Sequence, residues 1–139
     1  MKVPSDLDIL EAIYKDYYQA FASYEKSDDS RTSKVYVPID CAKIAKLLKT
    51  DGDIVFGRLY YHLQNKYGYK KNNGLNIDFF ALSVGQTNKP DRHVVNFPLM
   101  ASVLAGMQQE NAKFEVGTKI SIVALAISLC SIVVTLLPS

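Results

Sequence analysis

The stretch Ile120 to Leu137, ISIVALAISLCSIVVTLL, constrains this chain more than any other. It holds no charge, glycine or proline, and eleven of its 18 residues are Ile, Leu or Val. As a helix it spans ~27 Å at ~1.5 Å per residue, close to the ~30 Å of a bilayer's hydrocarbon core. The summed transfer free energy of the aliphatic residues outweighs the cost of the few small polar ones. A soluble alternative would bury this helix on all sides, and the remaining chain of about 119 residues is short for that task. The segment therefore reads as a membrane-spanning helix.

Its flanks set an expected orientation. Lys113 and Lys119 precede it, and Pro138 and Ser139 follow. Positive residues stay on the cytoplasmic side, so the residues before the segment are expected in the cytosol. The start, MKVPSDLDIL, has no apolar run of the secretory kind. This arrangement resembles a tail-anchored, single-pass membrane protein. A lipid-anchor signal also ends in an apolar tail, but it needs a secretory leader. Within the segment, Ser121, Ala124, Ser128, Ser131 and Thr135 recur at spacings of 3 and 4 and share one helix face. Small residues on one face let membrane helices approach closely, which implies a homo-oligomer. Alternatively, the hydroxyls bond their own preceding carbonyls and face lipid.

Ahead of this segment the charge is uneven. Residues 1–33 carry four Lys/Arg against seven Asp/Glu, whereas residues 58–93 carry six against two. The net charge is only +2, low for a dedicated nucleic-acid binder. With 22% charged and 48% apolar residues, the chain is expected to fold. Cys41 and Cys130 lie on opposite sides of the membrane boundary, so both are expected as free thiols, as in a cytosolic domain.

Hydrophobic spacing divides the rest. Ser5 or Asp6 caps a first helix over roughly 6–25, with Leu10, Ile13, Tyr14, Tyr17, Phe21 and Tyr24 as its apolar stripe. KSDDSRTSK is a polar loop in which Asp28 and Asp29 are solvated turn residues. VYVPI is a short strand in which Pro38 is confined to an edge strand or to the strand's end. Asp40 caps a second helix with Ile44, Leu47 and Leu48 inward and Lys43, Lys46 and Lys49 outward. After the turn TDGD, Asp53 caps a third helix that Gly68 stops. Two strand-like runs follow, NIDFFALSV and RHVVNF, joined by GQTNKPD. Pro98 opens a further helical pattern that leads toward the apolar segment, with Gly117 a weak point.

The order helix, strand, helix, helix, strand, strand, centred on IDCAKIAKLLKTDGDIVFGRLYYHL, resembles a winged helix. The expected class is α+β. The expected parts are a winged-helix-like domain over 1–97, a connecting helix over 98–119 and a membrane anchor over 120–137. In a winged helix the third helix resembles the recognition helix. At 100° per residue, Phe56, Leu59, Tyr60, Leu63 and Tyr67 fall on its inner side. Arg58, Tyr61 and Asn65 fall on the outer side, flanked by His62 and Gln64. Arg and Asn can read bases, and Lys66, Lys70, Lys71, Lys89 and Arg92 can meet phosphates. An exposed tyrosine beside an arginine equally fits a protein interface, and a plain solvated surface is the third alternative.

No phosphate loop, metalloprotease motif, nucleophile elbow or paired CxxC occurs. His62, His93 and Cys41 are the available metal ligands and lie on separate elements. The reading is thus of a non-enzymatic, membrane-tethered binding or assembly module without cofactor or metal. Its expected partners are the bilayer, a cytosolic protein and further copies of itself, with nucleic acid less favoured. A membrane-tethered transcriptional regulator and a small membrane-perturbing effector of toxin or defence type are the alternatives.

Overall fold

The computed structural model describes residues 2–25, 33–82 and 93–136. The turn residues Asp28 and Asp29, the run GQTNKPD and the basic residues Lys89 and Arg92 lie outside them. The chain divides into two compact units, Met1–Leu104 and Ala105–Ser139. The first is α+β, a mixture of helices and small antiparallel sheets.

Helix α1 (Asp6–Ala22) starts at Ser5. The Asp8 amide donates to Ser5 Oγ at 3.1 Å, and the Ser5 amide donates to Asp8 Oδ2 at 3.2 Å. Two otherwise unpaired helix donors are thereby satisfied. Ile9, Leu10 and Ile13 are its fully buried residues. The expected tyrosine stripe is only partly covered: Tyr14 is 37% exposed. Tyr14 and Phe21 instead stack on Phe97, with ring centroids 5.5 and 4.7 Å apart.

Strand β1 (Tyr36–Ile39) leads to α2 (Cys41–Leu47), whose first amides, Ala42 and Lys43, donate to Asp40 Oδ1. The Asp40 amide donates to Tyr17 Oη at 2.8 Å, which ties α1 to the start of α2. Burial of the phenol raises the pKa of Tyr17. Lys43 and Asp16 form an ion pair at 3.0 Å between the same two helices. In α2 the buried pair is Ile44 and Ala45, and Leu47 is exposed rather than inward. A helix this short gives the core one turn, and neighbouring positions fill it.

The third helix is capped two residues earlier than expected, at Asp51 rather than Asp53; the Asp51 Oδ1 accepts from the Asp53 amide. It has three parts: α3 (Gly52–Gly57), a π-helical stretch (Arg58–Leu63) and α4 (Gln64–Tyr67). Its buried residues are Val55, Leu59 and Leu63, spaced by four throughout. In an α-helix each such step overshoots a full turn by roughly 40°. The wider π turn takes up that drift, so all three stay on the core.

A small hairpin follows, β2 (Tyr69–Lys70) against β3 (Asn76–Ile77). Strand β4 (Phe80–Ala81) then pairs with β5 (His93–Asn96), and β5 with β1, giving the antiparallel order β1-β5-β4. Val37 faces Val95, and Val95 faces Phe80, so one buried row crosses the sheet. Pro38 sits in edge strand β1, where its missing N–H is tolerated.

Helix α5 (Phe97–Leu136) starts one residue before Pro98. Asn96, itself buried, accepts from the Leu99 amide at 3.2 Å. Phe97, Met100 and Leu104 complete the core of the first unit. In the second unit every described residue from Gln108 onward is exposed. This is the one helix among the described residues long and apolar enough to cross a membrane.

Candidate interaction surface

Three of the sequence-predicted site residues, Arg58, Tyr61 and His62, lie on the π-helical stretch. Arg58 is not a free reader of bases. Its Nε donates to Asp6 Oδ1 and its Nη2 to Asp6 Oδ2, both at 2.8 Å. This two-pronged bond, supported at the first residue of α1, raises the Arg58 pKa and fixes its fork. His62 Nε2 lies 3.4 Å from the same Asp6 Oδ2. One carboxylate thus gathers two of the predicted outer residues. In the sequence Asp6 reads only as a helix cap, because its partner is far away along the chain.

The tyrosine pair lies differently from a regular α-helix. Tyr60, expected inside, is 36% exposed, and Tyr61 is 73% exposed. Their rings meet edge to face, with centroids 4.9 Å apart. Phe56 stacks on Tyr60 at 5.3 Å and meets Tyr61 edge-on at 6.3 Å. Behind them lie Phe80 and His93, 5.9 and 5.0 Å from Phe56. The result is an aromatic cluster rooted in the sheet and opening to solvent at Tyr61. The sequence signal for it was the alternation of Phe and Tyr at 56, 60 and 61. The π turn that swings Tyr60 outward had no such signal.

Asn65 and Lys66 are exposed on α4, and the Lys66 ammonium lies 5.3 Å from the centre of the Tyr67 ring. Lys70 and Lys71 are exposed on and beside β2. Gln64, expected only to flank the outer face, holds the sheet. Its Oε1 accepts from the Phe79 and Phe80 amides at 2.6 and 2.8 Å, and its Nε2 donates to Asp78 Oδ1 at 3.0 Å. Gly68 is required beside it: a Cβ there would lie 2.7 Å from the Gln64 carbonyl oxygen and from its Nε2.

His62, His93 and Cys41 do not converge. Among the described residues no group of three or more His, Cys, Asp or Glu is placed to hold a metal ion. Both cysteines are free thiols, Cys41 half-buried and Cys130 exposed. Burial, with the Asp40 carboxylate second, pushes the Cys41 thiol up to about 11.

On α5 the hydroxyls of the small-residue face are used within the helix. Ser121 donates to the Gly117 carbonyl, Ser128 to Ala124, Ser131 to Ile127 and Thr135 to Ile132, at 2.7–3.0 Å. That face therefore offers small size rather than unpaired polar groups.

Set against protein-family models, curated proteins and solved structures, the chain matches none of them.

Proposed function

We propose that the chain is a non-enzymatic, membrane-tethered binding module. In this reading α5 crosses a bilayer, the unit Met1–Leu104 stays on the cytosolic side, and the Tyr60–Tyr61 face meets a protein partner. The observation that carries the reading is α5 itself. No residue of its most apolar stretch is buried within the protein. In water, so long a run of exposed Ile, Leu and Val is unfavourable at about 25 cal/mol per Å². A bilayer removes that cost. Lys113 and Lys119 favour the cytosolic placement of the folded unit.

The finer description of that unit as winged-helix-like is supported by its element order. Three helical segments precede β4 and β5, and β1 joins that antiparallel pair at the far edge. A protein partner fits the surface better than a nucleic acid does. The Arg58 fork is held by Asp6, while Tyr61 stands free as a rigid aromatic anchor. Two more of its polar groups do structural work, Gln64 on two sheet amides and His62 beside Asp6, and Asn65 and Lys66 stay exposed. Confinement to a membrane raises the effective concentration of such a module, so modest contacts become productive. Self-association of α5 through Ser121, Ala124, Ser128, Ser131 and Thr135 belongs to the same reading. It relies on close approach of small side chains.

Carbonate extraction of cell membranes tests the tether, and a photo-crosslinking residue at position 61 tests the contact. The full chain is expected to stay in the carbonate-resistant pellet, and a chain ending at Lys119 to leave it. Position 61 is expected to yield a defined protein adduct that a crosslinker at exposed Glu11 does not. Equal extraction of both chains would remove the tether, and identical adducts from both positions would remove the interface.

A further inference from the structure

The β2–β3 hairpin is a second surface that the tyrosine face does not use. Its tip is tightly built. The Lys71 amide donates to the Leu75 carbonyl at 2.8 Å, and the Gly74 amide to the Lys71 carbonyl at 2.9 Å. The Leu75 amide donates to Asn73 Oδ1 at 3.1 Å. Gly74 has φ of 86°, a left-handed conformation that glycine adopts without a Cβ clash. Tyr69 pairs with Ile77 and Lys70 with Asn76. Strand alternation therefore places Tyr69, Lys71 and Leu75 along one face. Tyr69 is 54% and Leu75 55% exposed.

The charge of this region has one sign. From Gln64 to Ile77 the chain carries Lys66, Lys70 and Lys71 and no acidic residue. The next acid, Asp78, is bonded to Gln64. Among the described residues none of these lysines joins an ion pair. The surface thus combines a tyrosine, a leucine and unpaired cations on a rigid turn. Phosphates of a duplex would use the lysines but not the leucine. The edge of an anionic bilayer uses both. Tyrosine settles at head-group depth, lysine stems lie along apolar surface, and their ammonium groups meet anionic heads.

We propose that the β2–β3 hairpin docks on an anionic lipid surface through the face of Tyr69, Lys71 and Leu75, with Tyr69 and Leu75 at head-group depth and Lys71 against the anionic heads, while Lys70, on the opposite face, adds its charge at longer range. The proposal rests on the reading of α5 as a membrane-crossing helix. The chain from Leu104 to Ile120 rises only ~24 Å as a helix. A tether of that length keeps the folded unit close to lipid, where a weak contact is sufficient.

The chain contains no tryptophan, so Tyr69→Trp places a single, selectively excited tryptophan on the hairpin. The full-length variant, with the circular dichroism of the wild type, is reconstituted with neutral phosphatidylcholine vesicles or with vesicles one-third phosphatidylserine. Flotation reads the tether, and emission with brominated-lipid quenching reads the hairpin. Both vesicle types are expected to float the protein. Only the anionic ones are expected to shift emission to shorter wavelength and allow quenching, and high salt or Lys70→Glu with Lys71→Glu is expected to abolish both effects. A Tyr61→Trp chain is expected to show neither. Flotation with identical emission in both vesicles overturns the hairpin contact and leaves the tether. Flotation on anionic vesicles alone with shifted emission supports the hairpin and overturns the tether. Flotation on neither overturns both. An equal shift at position 61 overturns the assignment to the hairpin. Emission that responds to a DNA duplex at low salt but to no vesicle gives this surface to nucleic acid instead.

Discussion

Lys49 occupies a conformation that its side chain disfavours. Its φ is 55°, the left-handed region, at the end of α2. The Lys49 amide bonds the Lys46 carbonyl and the Thr50 amide bonds that of Ala45, the paired bonds that close a helix at a left-handed residue. Glycine is the usual occupant of that position, because a Cβ there meets the carbonyl oxygen. Lys49→Gly is expected to stabilise the folded unit by about 0.5–1 kcal/mol, read as a higher urea midpoint. Cys41 gives a pH dependence of definite sign. Its thiol value is raised from 9.0 to about 11 in the folded protein, so folding favours the neutral thiol. Its contribution is full below pH 9 and is lost as pH rises from 9 to 11. The urea midpoint of the wild type is expected to fall more steeply across that window than that of Cys41→Ala. Parallel curves would show that the thiol's surroundings do not discriminate between its two forms.

At the scale of elements, the third helix and the strands after it are held together by one side chain. Gln64 accepts from two amides at the break between β3 and β4, where the run NIDFFALSV divides. Its sequence pattern reads as one strand, but Asn76–Ile77 pairs with β2 and Phe80–Ala81 pairs with β5. Two partners in different directions cannot be served by one straight strand. The amides at the bend need an acceptor, and Gln64 supplies it. Gln64→Ala removes that acceptor from both and is expected to cost roughly 2–4 kcal/mol. Amide exchange at Phe79 and Phe80 should rise well before exchange in α1. Unchanged exchange there would mean that water replaces the side chain without loss.

For the whole molecule, two environments are written into one chain. The first unit closes a core of aliphatic and aromatic side chains that ends at Leu104, and the second leaves its apolar residues outside. Cysteine crosslinking of the full chain in membranes tests whether copies meet along the small-residue face. A single cysteine at position 128 is expected to give a dimer, and one at position 129, on another face, much less. Replacing Ser121, Ala124, Ser131 and Thr135 by Leu should reduce the dimer at 128 at least tenfold, because bulky side chains hold the backbones apart. Equal dimer at 128 and 129 would leave α5 as a tether without a seam.

By itself, the sequence determined the long apolar helix, the mixed α+β character of the rest and the cap at Asp40, and it narrowed the first cap to Ser5 or Asp6 and Pro38 to an edge or a strand end. Each is a local property: unbroken hydropathy, a side-chain oxygen one turn from an amide, a missing N–H. Inward Ile44 and Leu63 were legible for the same reason, since a regular period carries them. Tertiary structure alone decided the outward turn of Tyr60, the exposure of Leu47, the division of NIDFFALSV between two sheets and the capture of Arg58 by Asp6. The π turn forms because Val55, Leu59 and Leu63 all gain burial on one core, which a 100° wheel does not anticipate. Arg58 and Asp6 lie 52 positions apart, and only the folded chain brings an arginine that reads as solvent-facing onto its carboxylate.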